Sequence, residues 1–165
     1  MNVDSLQQAP FPERGRLIEF QVSQPVLTPT TLATVPAFTT LATVTVHVNN
    51  PQNAVWLNAT VNWYADFTAA GAVDVVFQIL RGTTVVYEVQ QSIWSPTTVT
   101  PPLRGHSVVY LQHVETNLTT APGTVPFTYT LRAGQVTSAA ATAATAGPVS
   151  LTAAQLRPNT VPSLP

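Results

Sequence analysis

The sequence predicts an all-β fold, a single jelly-roll-like β-sandwich of about eight to nine strands with an extended N-terminal arm. Three observations lead there. Fifteen prolines and seven glycines interrupt the chain too often for a long helix. The segments between them alternate apolar and polar residues with a period of two, the spacing of a strand with one covered face. A length of 165 residues suits one domain built from two packed sheets.

The elements follow in chain order. Arg16 to Val22 and Leu41 to Val48 alternate as strands, and Asn49-Asn50-Pro51-Gln52-Asn53 is a turn signal. The clearest strand is Val55 to Trp63, where Val55, Leu57, Ala59, Val61 and Trp63 share one face and Asn58, Thr60 and Asn62 the other. Trp56 and Tyr64 interrupt that polar side at its ends, a sign that it too meets something. Val73 to Leu80 points Val73, Val75, Phe77 and Ile79 inward. It then turns through Arg81-Gly82-Thr83 into Thr84 to Val89, with Val85, Tyr87 and Val89 as the core face. Three prolines make Ser95 to Pro102 a loop, and Ala121-Pro122-Gly123 separates the strands His106 to Glu115 and Pro126 to Arg132. Gln135 to Ala146 is almost pure Ala, Thr and Ser, open to reading as a linker or an alanine helix. The β-branched Thr137, Thr142 and Thr145 favour a strand, which Gly147-Pro148 breaks before a last strand, Val149 to Leu156, with Val149, Leu151 and Ala153 on one face.

Domain boundaries fall at the sandwich ends: residues 1–15 form an N-terminal extension, 16–156 the sandwich, and 157–165 a Pro-rich tail. Neither extension can bury much of itself. Loose ends are common. The sharper reading is an inter-subunit arm of Leu6, Pro10, Phe11 and Pro12, with Leu6 and Phe11 as apolar anchors on an adjacent copy and backbone added to a sheet edge.

Charge is scarce. Only 8% of residues are charged, against roughly 25% in a typical soluble domain. The chain holds no lysine and 45% of it is hydrophobic. A surface with so few ions loses little solvation when it lies against another copy, so the expected partner is the protein itself, as a homopolymer or layer. Six scattered arginines and a net charge of −1 give no basic stripe for nucleic acid. No apolar run approaches the ~20 residues of a membrane helix. The N-terminus has no basic region followed by an apolar one, so a route to an outer surface without a classical signal peptide is expected. The absence of cysteine removes disulfides and thiol chemistry.

No catalytic pattern stands out. His47, His106 and His113 and the seven acids make no recognised catalytic spacing, and no nucleotide, hydrolase or zinc motif occurs, so neither an enzyme nor a cofactor is expected. His113 with Glu115, and Asp66 with Asp74 around Gly71, are weak cation candidates set against ordinary solvated acids. The sequons at Asn58 and Asn117 are of the kind that arises by chance. Trp56, Tyr64 and Trp94 are candidate interface aromatics, while Trp63 falls on the apolar face. The alternative to a structural subunit is a phage- or surface-type sandwich module for carbohydrate binding or decoration, reading sugars with Trp56, Tyr64 or Trp94.

The run Val75-Val-Phe-Gln-Ile-Leu-Arg-Gly-Thr-Thr-Val-Val-Tyr-Glu-Val resembles a hairpin of small exosporium and spore-coat β-sandwich proteins of endospore-forming bacteria. The ending Ala146-Gly-Pro-Val-Ser-Leu-Thr-Ala-Ala-Gln-Leu is similar to their closing strand. The resemblance implies a jelly-roll-like structural subunit, deposited on a spore surface, in a family where some members polymerise into appendage fibres through N-terminal arms. This chain departs from the appendage type in lacking the arm cysteines that cross-link those fibres. Polymerisation here is therefore expected to be noncovalent.

Overall fold

The alternation read from the sequence folds into eight strands among the described residues. They are β1 (Arg16–Val22), β2 (Thr39–Val48), β3 (Ala54–Phe67), β4 (Gly71–Arg81), β5 (Thr84–Ser95), β6 (Leu103–Glu115), β7 (Val125–Gln135) and β8 (Ala141–Arg157). The structure, a computed structural model, describes residues 15–23, 27–96, 103–118, 123–136, 138 and 140–157. The arm residues Leu6, Pro10, Phe11 and Pro12 and the tail beyond Arg157 lie outside them.

Two four-stranded antiparallel sheets result, ordered β1-β8-β3-β6 and β2-β7-β4-β5. The pairings nest: β4 with β5, β3 with β6, β2 with β7 and β1 with β8. The chain is thus one long hairpin, folded at Gly82 and wrapped into two layers, which is the jelly-roll arrangement. At its tip Arg81 pairs with Thr84, so Gly82-Thr83 is a two-residue turn. Gly82 holds φ at 58°, a value that such a tight turn needs and that a side chain would resist.

The core lies between the sheets. Val55, Leu57, Ala59, Val61 and Trp63 of β3 and Val73, Val75, Phe77 and Ile79 of β4 are all fully buried, on the faces their alternation assigned. Trp63 meets Phe77 with ring centroids 6.0 Å apart, and its Nε1–H donates to Gln91 Oε1 at 3.1 Å. Truncating a side chain at this depth, as in Leu57→Ala, costs about 2–5 kcal/mol.

Three sequence expectations are corrected. Val85 does not face the core: it is 41% exposed, because a bulge between Ile79 and Leu80 pairs Ile79 with Tyr87 and Leu80 with Val85, and Val86 packs inward instead. Gly147-Pro148 does not separate two strands. β3 stays paired through it, Val61 with Val149 and Trp63 with Thr145, so residues 146–148 bulge opposite Asn62 and one strand, β8, replaces two. Nor does the preceding strand begin at Gln135, which closes β7. The Gln135 side chain instead fixes the corner, Nε2 donating to Ala141 O (2.9 Å) and Oε1 accepting from Ala143 N (2.6 Å).

One polar cluster ties the sheets together. Glu115 of β6 receives Arg81 Nη1 of β4 at 2.5 Å and the Tyr129 hydroxyl of β7 at 2.7 Å. Burial pushes the Tyr129 hydroxyl well above the ordinary tyrosine range, and the carboxylate adds to this, so the phenol remains a donor. Removing the acceptor strands both partners. Glu115→Ala is expected to cost about 3 kcal/mol and Tyr129→Phe about 1–2 kcal/mol, measured as shifts in urea unfolding.

Candidate functional site

The outer surfaces of the two sheets differ in kind. On β2-β7-β4-β5 the outward positions include the apolar Val76, Leu80, Val85 and Trp94, but most are polar: Thr43, Thr45, Thr128, Thr130, Arg132, Asp74, Gln78, Glu88, Gln90 and Ser92. Their side chains bond to one another. Thr45 meets Thr128 at 2.9 Å, Arg132 Nε donates to Gln78 Oε1 at 2.8 Å, Gln78 donates to Glu88, and Ser92 donates to Asp74.

The other sheet turns apolar side chains to solvent. β1 has the alternation of a strand with one covered face, yet Ile18, Phe20 and Val22 point outward at 40%, 56% and 55% exposure, while the half-buried Glu19 and Gln21 take the opposite side. Period two identifies a strand but does not say which side is in. In register, Phe20 lies opposite Ala154, Ala154 opposite Trp56, and Trp56 opposite Val114. Directly opposed residues share a face, so these four make an apolar row across all four strands. Leu17 against Leu156 extends it toward one end. Val108 and Tyr110 are exposed on the same face further along β6, beyond the Asn58–Gln112 pair. Of the large apolar side chains exposed among the described residues, Leu27, Val85 and Trp94 lie elsewhere.

A polar border limits this face at its far end. Arg104 donates through Nε and Nη2 to both oxygens of Asp66 (2.7 and 2.9 Å), and its guanidinium lies 3.9 Å from the Tyr64 ring centre. Those bonds hold the Asp66 carboxyl below its usual range. The ring of His106 stands 5.8 Å from that of Tyr64.

The three candidate interface aromatics therefore do not converge. Trp56 belongs to the apolar row. Tyr64 shares its strand but sits eight positions on, roughly 27 Å away at strand spacing, under Arg104. Trp94 is on β5 of the other sheet. Trp63 is enclosed in the core and offers no surface. Both weak cation candidates are occupied from within, Glu115 by Arg81 and Tyr129 and Asp66 by Arg104. Among the described residues no group of three His, Cys, Asp or Glu stands together.

β1 is attached as well as paired. Glu19 Oε2 accepts the His47 backbone N–H at 2.8 Å, and Oε1 lies 3.4 Å from His47 Nδ1, bridging the edges of the two sheets. Ser23 donates its N–H to Leu151 O and accepts from Leu151 N, each at 2.9 Å.

No family model matches this chain, and no curated protein does. Among solved structures, the T13 viral particle of infectious bursal disease virus aligns with 97% of this chain and 40% of its own, at 12% identity and a TM-score of 0.38. The Gx strain of that virus aligns over 97% and 41% at 12% identity and 0.39, and a subviral particle over 96% and 43% at 12% and 0.36. The chain thus spans about 40% of the length of the proteins it is similar to.

Two outcomes test this description. Phe20→Ser and Trp56→Ser, at half-exposed positions, are expected to cost less than about 1 kcal/mol in urea unfolding, far below a core truncation. Burial raises the pKa of Glu19, but the Gln21 amide and the His47 N–H and ring outweigh it and the net shift is downward. Its contribution is therefore full above the ordinary value of 4.5 and lost as pH falls through the lower folded value. The stability gap between wild type and Glu19→Gln should hold steady at neutral pH and narrow as the pH falls below 4.5.

Proposed function

We propose that the protein is a structural subunit that joins copies of itself through the outer face of the β1-β8-β3-β6 sheet. On this reading it is the noncovalent building block of an extracellular or spore-surface fibre or layer. The observation that carries the proposal is the apolar row Phe20–Ala154–Trp56–Val114, with Phe20, Trp56 and Val114 open to water, while the opposite sheet presents a mostly polar surface whose exposed apolar side chains, Val85 and Trp94, are confined to its edge strand β5.

The magnitudes support an interface. Leu17, Ile18, Phe20, Val22, Trp56, Val108, Tyr110 and Val114 are 38–71% exposed. Together they leave on the order of 800 Å² open, about what one partner contributes to a standard interface and more than the usual largest patch on a monomer. The Arg104–Asp66 border and the neutral Asn58, Thr60 and Gln112 around the row supply a polar rim without burying an unpaired charge.

The arm is the proposed second contact. β1 starts at Arg16 beside the apolar row, and an extended chain covers at most about 3.3–3.6 Å per residue, so residues 1–15 reach on the order of 50 Å. A four-stranded sheet is only about 15 Å wide. Leu6 and Phe11 therefore lie within reach of a neighbour's apolar face.

Light scattering and negative-stain microscopy test the reading. Wild type is expected to exceed the 17.6 kDa single-chain mass as concentration rises and to form fibres or sheets. Phe20→Asp and Trp56→Asp should weaken association at least about tenfold without unfolding the domain. Chains that remain single at millimolar concentration, or associate equally well with both substitutions, would reject this face.

A further inference from the structure

The apolar row across the β1-β8-β3-β6 sheet has a relief as well as a composition. Phe20, Ala154, Trp56 and Val114 stand side by side in register, at 56%, 4%, 41% and 53% exposure. Ala154 is thus the floor of a notch walled by Phe20 and Trp56. The order across the sheet is large, small, large, medium. The next row on the same face, Val22, Thr152, Asn58 and Gln112, runs beside it.

The rest of the surface limits what can cover this face. The large apolar side chains exposed elsewhere among the described residues are Leu27, Val85 and Trp94, the last two at opposite ends of β5. They form no continuous patch. A second copy of the same face is the one apolar surface of matching extent among the described residues, and about 800 Å² from each chain makes an interface of standard size. A patch that meets the same patch on another chain closes on a two-fold axis.

The relief selects the direction of that axis. An axis lying along the row, across the strands, sets Trp56 on the partner's Trp56 and leaves the two Ala154 notches facing each other across a void. Interface cores are packed as densely as protein interiors, which counts against it. An axis lying along the strands, between β8 and β3, sets the partner's Trp56 over Ala154 and the partner's Val114 over Phe20. Each large side chain then meets a smaller one, and the match occurs twice.

We propose that two copies pack face to face about this second axis, the Trp56 indole of each seated in the Ala154 notch of the other. The inference rests on the face being a self-contact and adds its geometry. Because a two-fold contact is closed, this face joins chains only in pairs, and growth beyond a pair falls to a different contact.

The test uses the full chain, which has no cysteine of its own. Val22→Cys and Gln112→Cys, combined in one chain, put thiols at both ends of the second row, where the axis brings each over the partner's other position. The linker is a bismaleimide that spans about 10 Å, the separation of packed sheets, and falls short of the roughly 14 Å that three strand spacings put between the two thiols of one chain. A covalent pair and nothing larger is expected on a denaturing gel, with no pair from either single variant alone. Ala154→Trp enlarges the apolar surface but fills the notch, and is expected to weaken association at least about tenfold by light scattering. Adding Trp56→Ala to it exchanges knob and notch and is expected to restore most of the loss. A ladder of three or more linked chains, linking by a single variant, tighter association of Ala154→Trp, or no recovery in the exchanged chain overturns the two-fold packing. If Ala154→Trp fails to fold, the thiol pair decides alone. Where any of these outcomes accompanies association that Phe20→Asp still abolishes, the face remains a self-contact and only the geometry falls; chains that never associate overturn both.

Discussion

Everything in this domain depends on packing one face of each central strand against the other sheet. β3 and β4 supply the depth of that core through alternate residues, Val55, Leu57, Ala59, Val61 and Trp63 on one side and Val73, Val75, Phe77 and Ile79 on the other, all closed to water. Because strand side chains alternate strictly, committing one set inward fixes the other set outward, and a slip of one residue would invert both. The outward set is then free of any duty to the core. On one sheet it is mostly polar and internally bonded; on the other it carries an apolar row beside a polar border.

That difference gives the low charge content a location. A composition with 8% charged residues says that the surface is poor in ions, but not where the apolar part lies. The register places Phe20, Ala154, Trp56 and Val114 in one row although they come from four strands far apart in the chain. Their meeting is a product of topology. Assembly through this row would cover β1, an edge strand with no fully buried side chain, which is held by backbone pairing, the Glu19 contacts and Ser23.

The sequence shows the strands wherever alternation is clean and punctuation is local. Val55 to Trp63, Val73 to Leu80 and the Gly82 turn are of this kind. It misleads where an extra residue enters a strand: the bulge near Leu80 turns Val85 out and Val86 in, and Gly147-Pro148, which has the form of a break, is absorbed opposite Asn62. The outward aim of Ile18, Phe20 and Val22 is hidden for another reason, since a period of two is the same whichever face is covered. The amide cluster of Asn49, Asn53 and Gln155 is equally hidden. Asn49-Asn50-Pro51-Gln52-Asn53 reads as a turn and is one, with Asn53 N bonded to Asn50 O at 3.0 Å, but Gln155, more than a hundred residues away, completes the cluster.

The nesting of strands also governs how the protein can be made. β1 emerges from the ribosome first and β8 last among the strands, yet they are partners, and β2 must likewise wait for β7. Only the Gly82 hairpin can close from neighbouring sequence. A nascent chain therefore spends most of its synthesis with unpaired edges and open apolar stripes. Translation speed and chaperone occupancy become part of what decides between a folded domain and an aggregate.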